Sequence, residues 1–215
     1  MRHIEGVGPH FDSEKYQQAR RKTISVVKEV SSNVFHGMSE EEGAKLVEET
    51  LKKYGAEKKW HPTKFRIGKN TTKSFKEKSY PVSLQENDLY YIDIGPVFNG
   101  HEGDYGETFI FGKNKDYERI ILASKEIFHK TAKAFKERNL TGRDLYQYAF
   151  SLSHEYGYEL IPTMKGHRLG DFPHGLFYKG GLSECDFSPK ENLWILEILI
   201  KHPKQQFGAF YEDLI

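Results

Sequence analysis

Apolar positions along this chain recur in two patterns. Spacings of three and four predict helices, and alternation or short continuous runs predict strands. The first helix is expected to be capped by Asp12 or Ser13 and to run to about residue 33, with Val26, Val27 and Val30 on its apolar side. Ser39 and Glu42 form a capping-box signature. The helix they open carries Ala44, Val47, Leu51 and Tyr54 on one face and closes at Gly55. Residues 60–68 read as extended, because Pro62 disfavours helix. Residues 69–79 are polar, basic and loop-like. Residues 90–98 and 108–111 are rich in β-branched and aromatic side chains and predict a β-hairpin, with Asn99-Gly100 and Glu102-Gly103 as turn chemistry. A long helix is predicted over 116–137, and another opens at Thr141 or Asp144 and ends at Gly157. A short strand over 158–162, a Gly/Pro/His loop over 166–181 and two closing strands over 193–200 and 207–215 complete the chain. Each half therefore reads helix, helix, strands. No residue-level repeat accompanies this order, and no low-complexity linker divides the halves.

Carboxylates interrupt the strand pattern. Asp93 shares a strand face with Tyr91 and Gly95, opposite Ile92 and Ile94. Such a residue caps a turn, pairs with an arginine or holds a cation, and this stretch alone does not choose. Asp104 lies in the same predicted hairpin. Glu197 sits at the centre of an apolar run whose composition suits a strand covered on both sides, with Ile195 and Leu199 on its own face. Glu212 lies in the last short strand. An ionised carboxylate among apolar neighbours is costly without compensation. Several of them on separate strands suggest one shared cation site, and oxygen ligands with a single imidazole suit manganese, cobalt, iron or zinc.

Composition narrows the class. The 215 residues fit one large domain or two small ones. A net charge of +1 gives no reason to invoke nucleic acid or a membrane surface. The single Cys185 excludes an intrachain disulfide and fits a reducing compartment; no base lies beside it in sequence to make it a nucleophile. The longest apolar run falls far short of the ~20 residues of a membrane span. The N-terminus lacks the apolar core of a signal peptide, so a soluble cytoplasmic protein is expected. Of ten histidines, His167 and His174 stand out, in Gly166-His-Arg-Leu-Gly-Asp-Phe-Pro-His-Gly. An isolated pair like this does not by itself mark a site.

Taken together, Asp93, Asp104, His167, Glu197 and Glu212 resemble, in order and type, the five metal ligands of the methionine aminopeptidase, aminopeptidase P and creatinase superfamily, metallopeptidase family M24. Glu102-Gly-Asp-Tyr-Gly-Glu-Thr-Phe109 resembles its Gly-Asp-x-x-x-Thr-Phe motif, and Gly166-His-Arg-Leu-Gly its Gly-His-x-x-Gly segment. Any one of the five reads equally well as structural; all five in this order and context do not. The resemblance covers nearly the whole chain. It implies an α+β pita-bread fold, with two pseudo-symmetric helix-helix-strand halves around a curved antiparallel sheet. It further implies a single catalytic domain over 1–215, without the separate N-terminal domain of creatinase.

The resemblance also implies two divalent ions (manganese, cobalt, iron or zinc) bridged by Asp104 and Glu212. Asp93 would serve one ion, and His167 and Glu197 the other, with a water or hydroxide between them. Glu197 would also shuttle a proton. His174 would hydrogen-bond the substrate carbonyl or the tetrahedral oxyanion. Three departures stand out. Phe75 occupies the position of a family histidine that contacts substrate, and His61 is the nearby candidate to replace it. Ile198 follows Glu197 where many members have proline, and the final strand is expected to be short. The reading is a metal-dependent hydrolase, an aminopeptidase releasing a methionyl or Xaa-Pro N-terminal residue from a peptide. The alternatives are a non-peptide C–N hydrolase of creatinase type and a catalytically weakened binding protein. Oligomeric state is open, a homodimer included.

Overall fold

Two helices, a run of strands, two more helices and a final pair of strands follow one another in the computed structural model, which describes residues 3–215. Local capping chemistry sets the helix starts. Helix α1 (Ser13–Ser31) begins at Asp12, whose side chain accepts from the Glu14 and Lys15 amides. Helix α2 (Glu40–Lys53) has the expected reciprocal box between Ser39 and Glu42. Helix α3 (Lys115–Arg138) is capped by Asn114, just ahead of the predicted start. Helix α4 (Gly142–Glu155) is capped by Thr141, not Asp144, because the Asp144 amide donates to the Thr141 hydroxyl.

The strands are β1 (Lys58–Lys59), β2 (Lys64–Ile67), β3 (Asp88–Ile94), β4 (Pro96–Phe98), β5 (His101–Glu102), β6 (Tyr105–Phe111), β7 (Glu159–Leu160), β8 (His167–Arg168), β9 (Trp194–Lys201) and β10 (Gly208–Leu214). An antiparallel sheet runs β2-β3-β6-β10-β9-β7, with β8 also paired to β9; a small sheet runs β1-β4-β5. The predicted hairpin therefore divides at Gly95. Below it β3 pairs with β6, and above it β4 folds back on β5 through Asn99 and Gly100, both at positive φ. Two other expectations change. His167 is not in a loop, because β8 docks it on Ile195 of β9. The final strand is not short, since β10 pairs with β9 along its whole length.

Alternation gives the large sheet two different faces. On one, Tyr90, Ile92, Ile94, Leu196, Ile198, Ile200, Ala209 and Tyr211 meet apolar residues of all four helices, among them Val26, Val47, Ile127 and Leu145. Each such Leu, Ile or Phe, fully buried, contributes about 1.5–3 kcal/mol. The other face carries two smaller clusters: Tyr91, Ile161, Met164, Leu199 and Phe210, and Tyr16, Leu169 and Ile195. The interrupting carboxylates lie between these two. The basic segment after β2 is fixed from below. Buried Arg66 donates to the carbonyls of Ser74 and Glu77, and the Asn70 amide ties Glu40 to Tyr80. Among the described residues no helix is long and apolar enough to cross a membrane.

Candidate metal centre

Strand register assembles the site. Asp93 lies opposite Gly106, Gly106 opposite Glu212, and Glu212 opposite Glu197. Four adjacent strands thus place three carboxylates in one row across the sheet, with cross-strand neighbours about 5 Å apart. The gap in the row is functional in form. A Cβ on Gly106 would meet Glu212 Oε1 at 2.7 Å and Phe210 at 2.4 Å, so the absent side chain is what lets the Glu212 carboxyl lie where it does. Asp104 enters from the turn before β6, and His167 from β8. Trp60, His61 and Phe75 close a cavity of about 180 Å³ over Asp93, Asp104, His167, Glu197 and Glu212.

All five residues of the expected ligand set therefore meet, together with His61. His61 Nε2 lies 3.3 Å from Asp104 Oδ1 and 3.5 Å from Asp93 Oδ1; His167 Nε2 lies 2.9 Å from Asp104 Oδ2. Neither alternative for Asp93 is present: it caps no turn, and among the described residues its ion-pair partner is His61, not an arginine. Glu197 accepts from the Gly166 amide at 2.7 Å. Its backbone faces the gap between β8 and β7, where the Tyr146 hydroxyl bonds both its amide and its carbonyl. Gly166 takes φ +62, and a Cβ there would strike the Ile195 carbonyl at 2.3 Å.

His174 packs beside His167 and Trp60, two residues of the cavity wall. Its ring stacks on His167 at 5.6 Å and meets Trp60 edge-on at 5.0 Å. Glu102, fully buried, accepts from both the His174 amide (3.0 Å) and His174 Nδ1 (2.8 Å). Sequence reasoning missed Glu102, Trp60 and Gly106. Glu102 adjoins the Gly103-Asp104 motif, but nothing local says that its carboxyl turns inward. Trp60 contacts the rings of His61, His167 and His174 and donates to the Gly103 carbonyl.

The electrostatics show four buried carboxylates that two histidines compensate only in part. Burial pushes the Asp93 carboxyl up to about 6, against the pull of His61 and with the repulsion of Asp104 and Glu197 added. Burial raises Glu197, and burial with three neighbouring carboxylates raises Glu212 well above the usual range. Asp104 alone is lowered: burial opposes this, but His167 and His61 outweigh it. Burial disfavours charge on His167 too, yet Asp104 and Glu197 lift it to about 9. Glu212 Oε1 is buried with no hydrogen-bond partner, and Asp104 Oδ2 has only the His167 ring nitrogen beside it. Buried oxygens normally find partners, and orphans aimed at a shared cavity fit a cation. Two ligand groups are close enough to hold one: His61, Asp93 and Asp104, and Asp104, His167 and Glu212. The donor set therefore fits divalent metal. Cys185 is buried away from this chemistry, and burial raises its thiol.

Comparisons with known proteins bear on the family and the fold. Methionine aminopeptidase of Clostridium acetobutylicum is 28% identical over 95 residues, covering 42% of this chain and 36% of that protein. Xaa-Pro dipeptidase of Pyrococcus furiosus is 26% identical over 153 residues, covering 71% of this chain and 42% of that protein. The chain thus spans less than half the length of these curated relatives. Among solved structures, the X-Pro aminopeptidase of Thermotoga maritima superposes with a TM-score of 0.80 at 23% identity, over 97% of this chain and 59% of that one. The methionine aminopeptidase of Thermotoga maritima gives 0.71 at 17% identity, over 100% and 96%. The profile described as metallopeptidase family M24 matches residues 14–215, so the chain belongs to that family and carries its α+β pita-bread fold.

Proposed function

We propose that this chain is a dinuclear-metal-dependent hydrolase of the aminopeptidase type. The observation that carries the reading is the buried row Asp93, Gly106, Glu212, Glu197 with Asp104 and His167 above it, four carboxylates without a lysine or arginine partner among the described residues. Asp104 and Glu212 would serve both ions, with Asp93 serving one and His167 and Glu197 the other. Bound divalent ions would polarise the scissile carbonyl and bring the pKa of a water near neutral. Manganese, cobalt, iron and zinc all suit such donors.

The chain's own groups do the rest. Glu197 is anchored through one oxygen on the Gly166 amide and lines the cavity, a suitable place from which to accept a proton and return it to the leaving amine. His174 keeps Nδ1 on Glu102, which leaves Nε2 for the substrate carbonyl or the oxyanion. Phe75 and Trp60 are the apolar walls of the cavity beside the carboxylates and suit an apolar N-terminal residue or a proline ring. The relatives' names, methionine aminopeptidase and Xaa-Pro dipeptidase, agree with such a substrate.

Product analysis on a peptide panel tests the proposal. Met-Ala-x and Ala-Pro-x peptides are incubated with manganese-loaded protein beside an Asp104→Ala control. Release of one N-terminal residue by the wild type alone supports the reading and names the specificity. No product from metal-loaded wild type rejects peptidase activity. Phe75, which gives the substrate no polar contact where the family has a histidine, then favours a non-peptide amide.

A further inference from the structure

We infer that His61 is a sixth ligand of the metal centre, giving Nε2 to the ion held by Asp93 and Asp104, so that each ion has its own imidazole. The inference rests on the dinuclear reading and goes beyond the five-residue set.

The observation is a near-equivalence between His61 and His167. Each ring sits on one oxygen of Asp104: His61 Nε2 on Oδ1 at 3.3 Å, His167 Nε2 on Oδ2 at 2.9 Å. Each ring also uses Nδ1 in the same way. His61 Nδ1 is 2.9 Å from the Pro62 carbonyl, and His167 Nδ1 is 2.7 Å from the Arg168 carbonyl. A carbonyl can only accept, so both Nδ1 atoms donate to it, and each Nε2, which faces a carboxylate oxygen, is the nitrogen a metal would take in exchange for its proton. A second ring nitrogen tied to a backbone carbonyl is the usual support of a metal-binding histidine. His61 also faces Asp93, so its donor atom and one oxygen from each of two carboxylates lie within 4.8 Å of one another.

The fold makes room for this ring specifically. A Cβ on Gly95 would lie 2.2 Å from His61 Cδ2 and 2.4 Å from Nε2. Trp60 braces the imidazole edge-on at 4.3 Å, and Phe75 closes the other side at 5.4 Å. Phe75 has no polar atom to offer, so the groups that face His61 Nε2 are the two aspartates. A histidine acting only on substrate would not need both.

The consequence concerns metal choice. Carboxylate-only coordination suits manganese, and imidazole favours zinc and cobalt. A nitrogen donor on each ion should therefore raise preference for zinc and cobalt over manganese.

The test uses substrate-free protein, where a substrate contact is silent. Zinc and cobalt binding to wild type and His61→Ala are followed by calorimetry and by the visible spectrum of the cobalt form. The expected result is that His61→Ala loses at least tenfold in affinity for one of the two ions. It should lose less for manganese and show an altered cobalt spectrum. Gly95→Ala, which displaces the ring without removing it, should reproduce both changes. X-ray absorption on the zinc-loaded wild type needs no variant: one imidazole per zinc is expected. One imidazole per two zincs, or unchanged binding in His61→Ala with only KM raised, overturns the inference and makes His61 a substrate contact. Asp104→Ala separates the underlying reading: if it still binds two ions, they are not held at this carboxylate cluster and the proposed centre is wrong.

Discussion

Neighbouring residues on two strands put buried carboxylates on opposite faces of the same sheet, and the two sets behave differently. On the helix side, Glu107 of β6 is buried between Lys28 of α1 and Lys125 of α3, with the Tyr105 hydroxyl donating to it. Asp213 of β10 is held by the Arg20 guanidinium through two nitrogens. Burial works against the Glu107 charge, yet Lys125 and Lys28 outweigh it and hold the carboxyl below its usual range. One residue away on each strand, Gly106 and Glu212 face the other side. There the carboxylates meet one another and two histidines, and Asp93, Glu197 and Glu212 are all raised. Burial alone does not distinguish a structural carboxylate from a metal ligand. The missing counter-charge does.

The largest test of this contrast is metal content. Asp104→Ala or Glu212→Ala should bind no metal stoichiometrically and lose activity by more than the roughly 10–100-fold that a ligand's outer partners contribute. Glu107→Gln should keep full metal content by elemental analysis. Equal metal loss in all three would erase the distinction between the faces.

Stability should respond in the opposite sense. Breaking a fully buried ion pair costs about 3–5 kcal/mol, and the partial exposure of Lys28 and Lys125 reduces this to about 2 kcal/mol for Glu107→Ala. In chelator, Glu212→Gln should instead raise the urea midpoint, because it removes repulsion that no metal is present to relieve.

The pH dependence follows from the raised groups. A folded pKa above the unfolded value stabilises at low pH, and that stability is lost as pH rises through the folded pKa. For Asp93 the window runs from 3.8 to about 6, and for His167 from 6.5 to about 9. Metal-free protein should therefore melt at progressively lower temperature from acid to alkaline pH across both windows. Saturating metal, which binds the deprotonated forms, should reverse the trend. A flat profile in chelator would place these groups in ordinary solvent.

The smallest effect concerns His174. Glu102→Gln still accepts one hydrogen bond but loses the carboxylate that orients the His174 ring through Nδ1. A fall in kcat of roughly tenfold, with metal content unchanged, is expected from such a supporting carboxylate.

The sequence by itself determined where the four helices lie, with the Ser39 cap, and the identity of the acidic residues set among apolar neighbours; the choice of Asp12 over Ser13 and Thr141 over Asp144 came from the structure. Alternation also assigned faces correctly: Tyr91 and Asp93 do lie opposite Ile92 and Ile94. What alternation does not contain is register, or the partner across the strand. Glu107 and Asp93 carry the same local signal, a carboxylate in an apolar strand. Only the helices packed over one face supply lysines to one and none to the other. The inward turn of Glu102, the empty Cβ position at Gly106 and the approach of His61 to Asp104 are likewise tertiary. Each depends on contacts between residues far apart in the chain, fixed when strand pairing and helix packing are chosen together.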